Sequence, residues 1–194
     1  MKKLFFLNLI LVFFLACNKP VKDVVIDNPS DEEITVKFNQ TLDLKIPAGE
    51  KITVPLKFGK ETIQVNGGEV VEIVLDEEYN YVVNPTLSQY YIESLVYTTS
   101  RAGMKNYQRD YGNITSMIGS LEVNGDYENI KPDYLIKKAW TFGLDESSDM
   151  VQMRTDPVKG YKIVKRIVRE SDLLKEFTSQ LFDAIMTEEE EVVE

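Results

Sequence analysis

Residues 24–84 consist of short runs in which apolar and polar side chains alternate, and this pattern constrains the fold more than any other feature. Ile34, Val36 and Phe38 alternate with polar neighbours, which is the period-two pattern of a half-buried strand. The other apolar runs lie at 24–26, 42–46, 52–58, 63–65 and 71–75. Turn residues such as Asn66-Gly67-Gly68 separate them. We therefore predict six short strands forming an antiparallel β-sandwich-like module over residues 24–84.

The remainder of the chain is less regular and predicts a smaller α+β part over residues 85–187. Two segments of this part that are rich in Tyr, Ile and Val predict strands, 90–97 and 160–168, and a third such segment, 79–83, precedes it at the end of the first module. The polar segment 100–113 reads as a loop, and segment 134–142 fits either a strand or a helix. Asn124-Gly125-Asp126 has the residues of a hairpin turn.

The C-terminal segment has the periodicity of a helix. Four apolar side chains recur at helical spacing: Leu174, Phe177, Leu181 and Ile185. Ser171 offers an N-cap, so we predict an amphipathic helix over residues 172–186 that packs on the preceding strands. Residues 188–194 form an acidic tail that is expected to fray. The predicted fold class is mainly β, and α+β overall.

The first sixteen residues have the composition of a cleavable export signal. Lys2 and Lys3 precede an apolar run from Leu4 to Leu15 that only Asn8 interrupts. This run is shorter than the roughly 20 residues that a membrane-spanning helix needs, and it has the size of a signal-peptide core. We expect residues 1–16 to be removed and residues 17–23 to form a tether.

The run ends in Phe14-Leu15-Ala16-Cys17, which resembles the bacterial lipoprotein signal, where a small residue precedes a cysteine at the cleavage site. Cys17 is the only cysteine in the chain. The resemblance implies that Cys17 receives a diacylglycerol on its sulfur and becomes the new N-terminus. Two or three acyl chains such as palmitate would then hold the protein stably on a membrane of the cell envelope. We expect the outer rather than the inner membrane.

The module over residues 24–84 also resembles the small immunoglobulin-like and transthyretin-like β-modules of many exported proteins. What carries the resemblance is the pattern of six short strands with a turn after each one. It implies a two-sheet sandwich that serves as a binding or spacing module.

The composition excludes several classes of function. The formal net charge is −10, and loss of Lys2 and Lys3 with the leader makes it −12, which argues against binding to nucleic acid and against general adhesion to anionic lipid. The chain has no histidine. With its one cysteine acylated, it cannot build a Ser-His-Asp or Cys-His arrangement or an ordinary zinc site. We expect no catalysis and no cofactor.

The segment 100–113 is basic and aromatic, although the chain as a whole is acidic. Its candidate ligand-binding residues are Arg101, Lys105, Arg109 and Tyr107. Guanidinium groups and tyrosine hydroxyls at this spacing can bind a phosphate or a carboxylate, such as an anionic glycan or an acidic patch on a partner. The alternative interpretation is a solvated loop whose cations pair with Asp110 and Glu93.

Three further sets of residues have a functional interpretation and an ordinary one. The first two are acidic sets with oxygen ligands suited to calcium. One consists of Asn124, Asp126 and Glu128, and the other consists of Asp145, Glu146 and Asp149. The third is an aromatic set that suits a ligand platform, Tyr134, Trp140 and Phe142. We interpret the acidic sets as turn chemistry, because the rest of a calcium loop is missing, and the aromatic set as core.

These observations favour a non-enzymatic envelope lipoprotein that acts as a protein-interaction or structural module, with another envelope protein as its partner. The first alternative is a lipoprotein that binds an anionic glycan or small molecule through residues 101–109. The second is a hydrolase that uses two carboxylates, one of them with a raised pKa.

Overall fold

The computed structural model describes residues 21–147 and 153–191, with the side chains of 183–191 excepted, and its fold is mainly β with two helices among those residues. The strands are β1 (Val21–Asp27), β2 (Ile34–Phe38), β3 (Leu42–Ile46), β4 (Lys51–Lys57), β5 (Gly59–Val65), β6 (Val70–Leu75), β7 (Tyr81–Val83), β8 (Tyr90–Thr98), β9 (Thr115–Ile118), β10 (Leu121–Asn124), β11 (Asp126–Ile130), β12 (Leu135–Lys137) and β13 (Tyr161–Arg169). The helices are α1 (Arg101–Tyr111) and α2 (Glu170–Glu191). The predicted fold class is confirmed. Cys17 and Asp149 lie outside the described residues.

The six predicted strands of the first module form a sandwich of two sheets. The outer sheet has the strand order β3-β2-β5-β6, and the central sheet has the order β12-β7-β1-β4. Val36, Phe38 and Ile63 from the outer sheet share one buried cluster with Ile26 and Val83 from the central sheet. The alternating side chains of the sequence therefore supply the interior of the sandwich.

The central sheet is covered on both faces. Val24 and Ile26 of β1 face the sandwich core, whereas Val25 packs on the opposite face with Val82 and Ile136. A third sheet, with the order β11-β8-β13, contributes Tyr90, Ile92 and Ile167 to that second cluster. Burial on both faces explains why Val24-Val25-Ile26 is a continuous apolar run.

The far face of the third sheet packs against the hairpin β9–β10 and the start of α2. Tyr91 of β8 lies in a buried cluster with Ile118, Val123 and Leu173. Phe177, one turn further along α2, contacts the ring of Tyr127 edge-on, with 6.0 Å between the ring centroids. The predicted packing of the C-terminal helix on β-structure is thus confirmed for its first two turns.

The prediction of a loop over residues 100–113 was wrong, because this segment forms the helix α1. Its N-cap is Ser100, whose hydroxyl accepts a hydrogen bond from the Gly103 amide at 3.0 Å, and its C-cap is Gly112. Gly103 is the one buried residue of the helix. A helix that buries so little carries no apolar stripe, so the usual periodicity was absent from the sequence.

Several boundaries also differ from the predictions. Helix α2 begins at Glu170, directly after β13, so Ser171 lies inside it and is not an N-cap. Asn124-Gly125-Asp126 is not a hairpin turn, because β10 pairs with β9 while β11 pairs with β8. At Gly125, whose φ is 136°, the chain crosses from the hairpin to the third sheet. The helix continues to Glu191, into the expected acidic tail.

Segment 134–142, left open between strand and helix, contains the short strand β12. This strand pairs with β7 and completes the central sheet, so residues after position 85 contribute to the same sheet as β1. β7 in turn runs parallel to β1, with Val25 opposite Val82. The sandwich-like module and the α+β part therefore share a sheet and a buried cluster.

Candidate functional site

The predicted ligand-binding residues lie on α1. Arg101, Lys105 and Arg109 are all exposed, and their spacing of four residues places them along one side of the helix. Arg109 pairs with Asp110, 3.0 Å from its Nη2 to the carboxylate. For Arg101 and Lys105 we find no carboxylate within ion-pair distance among the residues that the structure describes. Two of the three cations are thus available to an anionic ligand.

Tyr107 belongs to a tyrosine cluster at the base of the helix. Its ring stacks on Tyr111 at 5.1 Å between centroids, and the edge of Tyr161 meets both rings. Burial, and then the nearby Asp126, raise the pKa of Tyr107 above its usual value. The hydroxyl of Tyr161 donates to Asp110 at 2.8 Å, and burial together with this bond raises the pKa of Tyr161 to about 12. The cluster therefore holds α1 on β13.

Two glycines bring α1 close to the turn before β13. A Cβ on Gly103 would overlap the carbonyl oxygen of Gly160 and the hydroxyl of Thr98. Gly160 itself has a φ of 75°, which favours glycine. Asn106 adds a hydrogen bond from its amide to the Lys159 carbonyl at 2.8 Å. These contacts hold α1, and with it the exposed cations, against the turn before β13.

The other predicted sets have ordinary partners. Glu128 pairs with Lys165 at 3.3 Å, and Glu146 accepts a hydrogen bond from the Gly143 amide at 2.6 Å. No group of three or more metal-binding side chains occurs within residues 21–147 and 153–182, whose side chains the structure describes. Trp140 and Phe142 are buried, which agrees with the interpretation as core. Glu93, expected beside α1, instead binds Arg166 at 2.7 Å.

Sequence reasoning missed an ion pair that is deeply buried in the described part of the chain. The Arg169 cluster consists of Asp27, Tyr90, Asp145, Arg169 and Asp172. Asp27 is fully buried at the end of β1, and Arg169 is 5% exposed at the end of β13. Arg169 donates to Asp27 through Nε at 2.9 Å and through Nη2 at 2.7 Å, which is a two-pronged ion pair. It joins residues that are 142 positions apart.

Every N–H group of the Arg169 guanidinium has an acceptor. Besides Asp27, it donates to both oxygens of Asp145, at 2.9 and 3.1 Å, and to Asp172 at 3.0 Å. The Tyr90 hydroxyl donates to Asp27 at 2.6 Å. A guanidinium has five donors, and all five are used. Arg169 is therefore a structural group rather than a free anion-binding site.

The cluster shifts the acid–base behaviour of its members. Hydrogen bonding to Asp27 raises the pKa of Arg169, although burial opposes this effect. Burial, and then the charge of Asp27, raise the pKa of Tyr90 far above its usual value. Burial alone would raise the pKa of Asp145, but Arg169 and then Lys51 outweigh it, so this pKa lies below its ordinary value. Such a carboxyl is ionised at neutral pH and is a poor general acid.

Exposed apolar side chains mark the second half of α2. Leu181 is 62% exposed and Phe182 is 64% exposed, whereas Leu173, two turns earlier, is buried. Phe182 shares one open face of α2 with Leu174, Lys175, Thr178 and Ser179. Adjacent large apolar side chains at this exposure are typical of contact surfaces.

No family model, no curated protein and no solved structure matches this chain. Within the residues described, no helix combines the length and the apolar character needed to cross a membrane.

We predict that Arg169→Met lowers the free energy of unfolding by about 3–5 kcal/mol, because it leaves the fully buried Asp27 without its counter-charge. The measurement is urea denaturation of a Cys17→Ser chain, followed by the fluorescence of Trp140, the only tryptophan. The control is Lys165→Met, which removes an exposed ion pair and is expected to cost less than about 1 kcal/mol.

The double variant Asp27→Leu with Arg169→Met is expected to cost less than the sum of the two single variants, because no isolated charge then remains buried. Equal costs for Arg169→Met and Lys165→Met would contradict the structural role of the cluster.

Proposed function

We propose that this chain is a non-enzymatic lipoprotein of the bacterial cell envelope, held by lipid on Cys17, that binds another envelope protein. Support for the anchor comes from the sequence, since an export signal ends at Ala16-Cys17 and the first strand begins soon afterwards, at Val21. Support for the interaction comes from the exposed apolar end of α2. That end is the observation on which the proposed protein interaction rests.

The length of α2 carries it beyond the β-structure that it packs on. A helix of 22 residues is about 33 Å long, at 1.5 Å per residue. Leu173, Leu174 and Phe177, in the first two turns, lie in the cluster beneath the helix. Leu181 and Phe182 are outside that cluster, so the next turns of the helix present apolar surface to solvent. An amphipathic helix of this kind is suited to an apolar groove on a partner protein.

The charges of α2 define the partner further. The helix sequence contains eight Asp and Glu residues and one Lys, with four consecutive Glu residues at 188–191. Like charges at a shared surface cost free energy, so a partner with an equally acidic rim would be repelled. The proposed partner therefore has an apolar groove bordered by Lys or Arg.

We predict that the double variant Leu181→Ser with Phe182→Ser reduces capture of this partner at least about tenfold, because burial of one such side chain is worth about 1.5–3 kcal/mol. The measurement is photo-cross-linking in intact cells from a reactive amino acid at Ser179, which lies on the same open face of α2 as Phe182, followed by detergent extraction and mass spectrometry. The same cross-linker identifies the partner in the unaltered protein.

The matched control is the double variant Val70→Ser with Val74→Ser, which removes two exposed apolar side chains from β6. Its cross-linked product is expected to match that of the unaltered protein. The same yield of product from the Leu181 and Phe182 variant would contradict the proposal, as would an eluate that contains only the lipoprotein.

A second candidate function is capture of an anionic ligand by α1, favoured by two exposed cations, Arg101 and Lys105, that have no carboxylate partner in the described part of the chain. We predict that Arg101→Glu with Lys105→Glu abolishes binding of an acidic polysaccharide to the purified protein, measured by calorimetry. The control is Lys37→Glu with Lys45→Glu, on strands of the outer sheet. Unchanged binding after the α1 substitutions would exclude this candidate.

A further inference from the structure

The end of the sandwich nearest Cys17 carries an unusual group of side chains. Three residues, 18–20, separate Cys17 from the first residue of β1. Four residue steps span at most about 14 Å, so lipid on Cys17 keeps this end of the domain at the membrane surface. We name the end of the central sheet that contains Val21, Lys22, Lys57, Tyr79 and Lys137 the anchor end.

Strand register brings these residues together. Val21 is opposite Lys57 in the antiparallel pair β1–β4, and the Lys22 ammonium donates to the Tyr79 carbonyl at 3.0 Å. Lys137, at the end of β12, lies over the Tyr79 ring at 4.4 Å from its centroid. Four neighbouring chain segments therefore place lysines and aromatic rings at one edge of the domain.

The anchor end is accessible and its lysines are unpaired. Val21 is 54% exposed and Tyr79 is 38% exposed, while Lys57 and Lys137 are exposed as well. Lys22, which is half-buried, lies 5.9 Å from the centroid of the Phe58 ring. In the described part of the chain, none of these three lysines has a carboxylate within ion-pair distance. These three lysines therefore keep their charge without an ion-pair partner in the described part of the chain, although Lys22 and Lys137 both contact Tyr79.

We infer that the anchor end docks onto the phospholipid headgroups of the membrane that holds the lipid, an inference that rests on the proposed lipid anchor. Tyrosine rings are favoured at the headgroup level, where one edge is apolar and the hydroxyl is hydrated. Lysines beside them reach lipid phosphates while their aliphatic stems cover apolar surface. The docked domain then holds one orientation relative to the membrane.

The net charge limits the contact to this end. Asp76, Glu77 and Glu78 in the loop between β6 and β7 lie near the lysines, so no large positive field surrounds the anchor end. A net charge of −12 repels the rest of the domain from an anionic surface. The tether supplies the proximity, and the lysines and rings set the orientation. Salt weakens the contact, because exposed charges are screened within about 8 Å at physiological ionic strength.

The test uses the complete acylated chain in vesicles of phosphatidylethanolamine and phosphatidylglycerol. Because Cys17 is the only cysteine and its sulfur is acylated, one added cysteine takes a fluorophore at a single position. Glu77→Cys places the fluorophore at the anchor end. Ala48→Cys places it in the turn before β4, at the other end of the strands, because Lys51 pairs with Asp27. Spin-labelled lipid is the quencher.

Docking predicts stronger quenching of the fluorophore at residue 77 than at residue 48. In the Lys57→Glu with Lys137→Glu variant, the ratio of docked to undocked protein should fall by about an order of magnitude or more, with flotation on vesicles unchanged. Lys37→Glu with Lys45→Glu, which alters two lysines of the outer sheet, Lys45 lying next to the turn that contains Ala48, is the control. Its quenching should match that of the unaltered protein.

Two results would overturn the inference, and they are distinguishable. Equal quenching at residues 77 and 48 in protein that floats with the vesicles would exclude docking and leave the lipid anchor intact. Protein that does not float with the vesicles would exclude the lipid anchor and, with it, the docking.

Discussion

The ion pair between Arg169 and Asp27 fixes how the layers of this protein sit on one another. Asp27 ends β1 in the central sheet, and Arg169 ends β13 in the third sheet and leads into α2. A fully buried carboxylate is tolerated only when a positive group and further donors compensate for its lost hydration. Arg169 and the Tyr90 hydroxyl supply that compensation. Sliding either sheet by one residue would leave charges buried without partners.

The Arg169–Asp27 ion pair also positions the surfaces proposed for function. Because α2 follows Arg169 without a loop, the cluster also sets the direction in which the helix leaves the β-structure. Asp172, in the first turn of α2, binds Arg169 directly. The exposed Leu181 and Phe182 therefore extend from a rigid base. The anchor end lies at the other end of β1 from Asp27, so one strand links the proposed membrane contact to the base of the proposed partner contact.

The local pattern of apolar and polar residues predicted much of the fold. Most of what was not predicted involves contacts between residues far apart in the sequence. The alternation of Ile34, Val36 and Phe38 predicted β2, because a two-residue period is visible in the sequence itself. The Asp27–Arg169 pair could not be predicted from local pattern, because no feature of the sequence around either residue indicates its partner. The candidate site was found in part. The cations of α1 were identified from their spacing. That four-residue interval is also the interval of a helix face, and Ser100 is a suitable N-cap, so the sequence contained the signals from which α1 could have been predicted.

The claim on which the proposed function most depends is the lipid on Cys17. It is tested most directly by the intact mass of the protein purified from membranes, with fragmentation of its N-terminal peptide. The lipid anchor predicts that residues 1–16 are absent and that Cys17 carries a diacylglycerol on sulfur. A chain that keeps its leader, or one that is cleaved but carries an unmodified thiol, would contradict it.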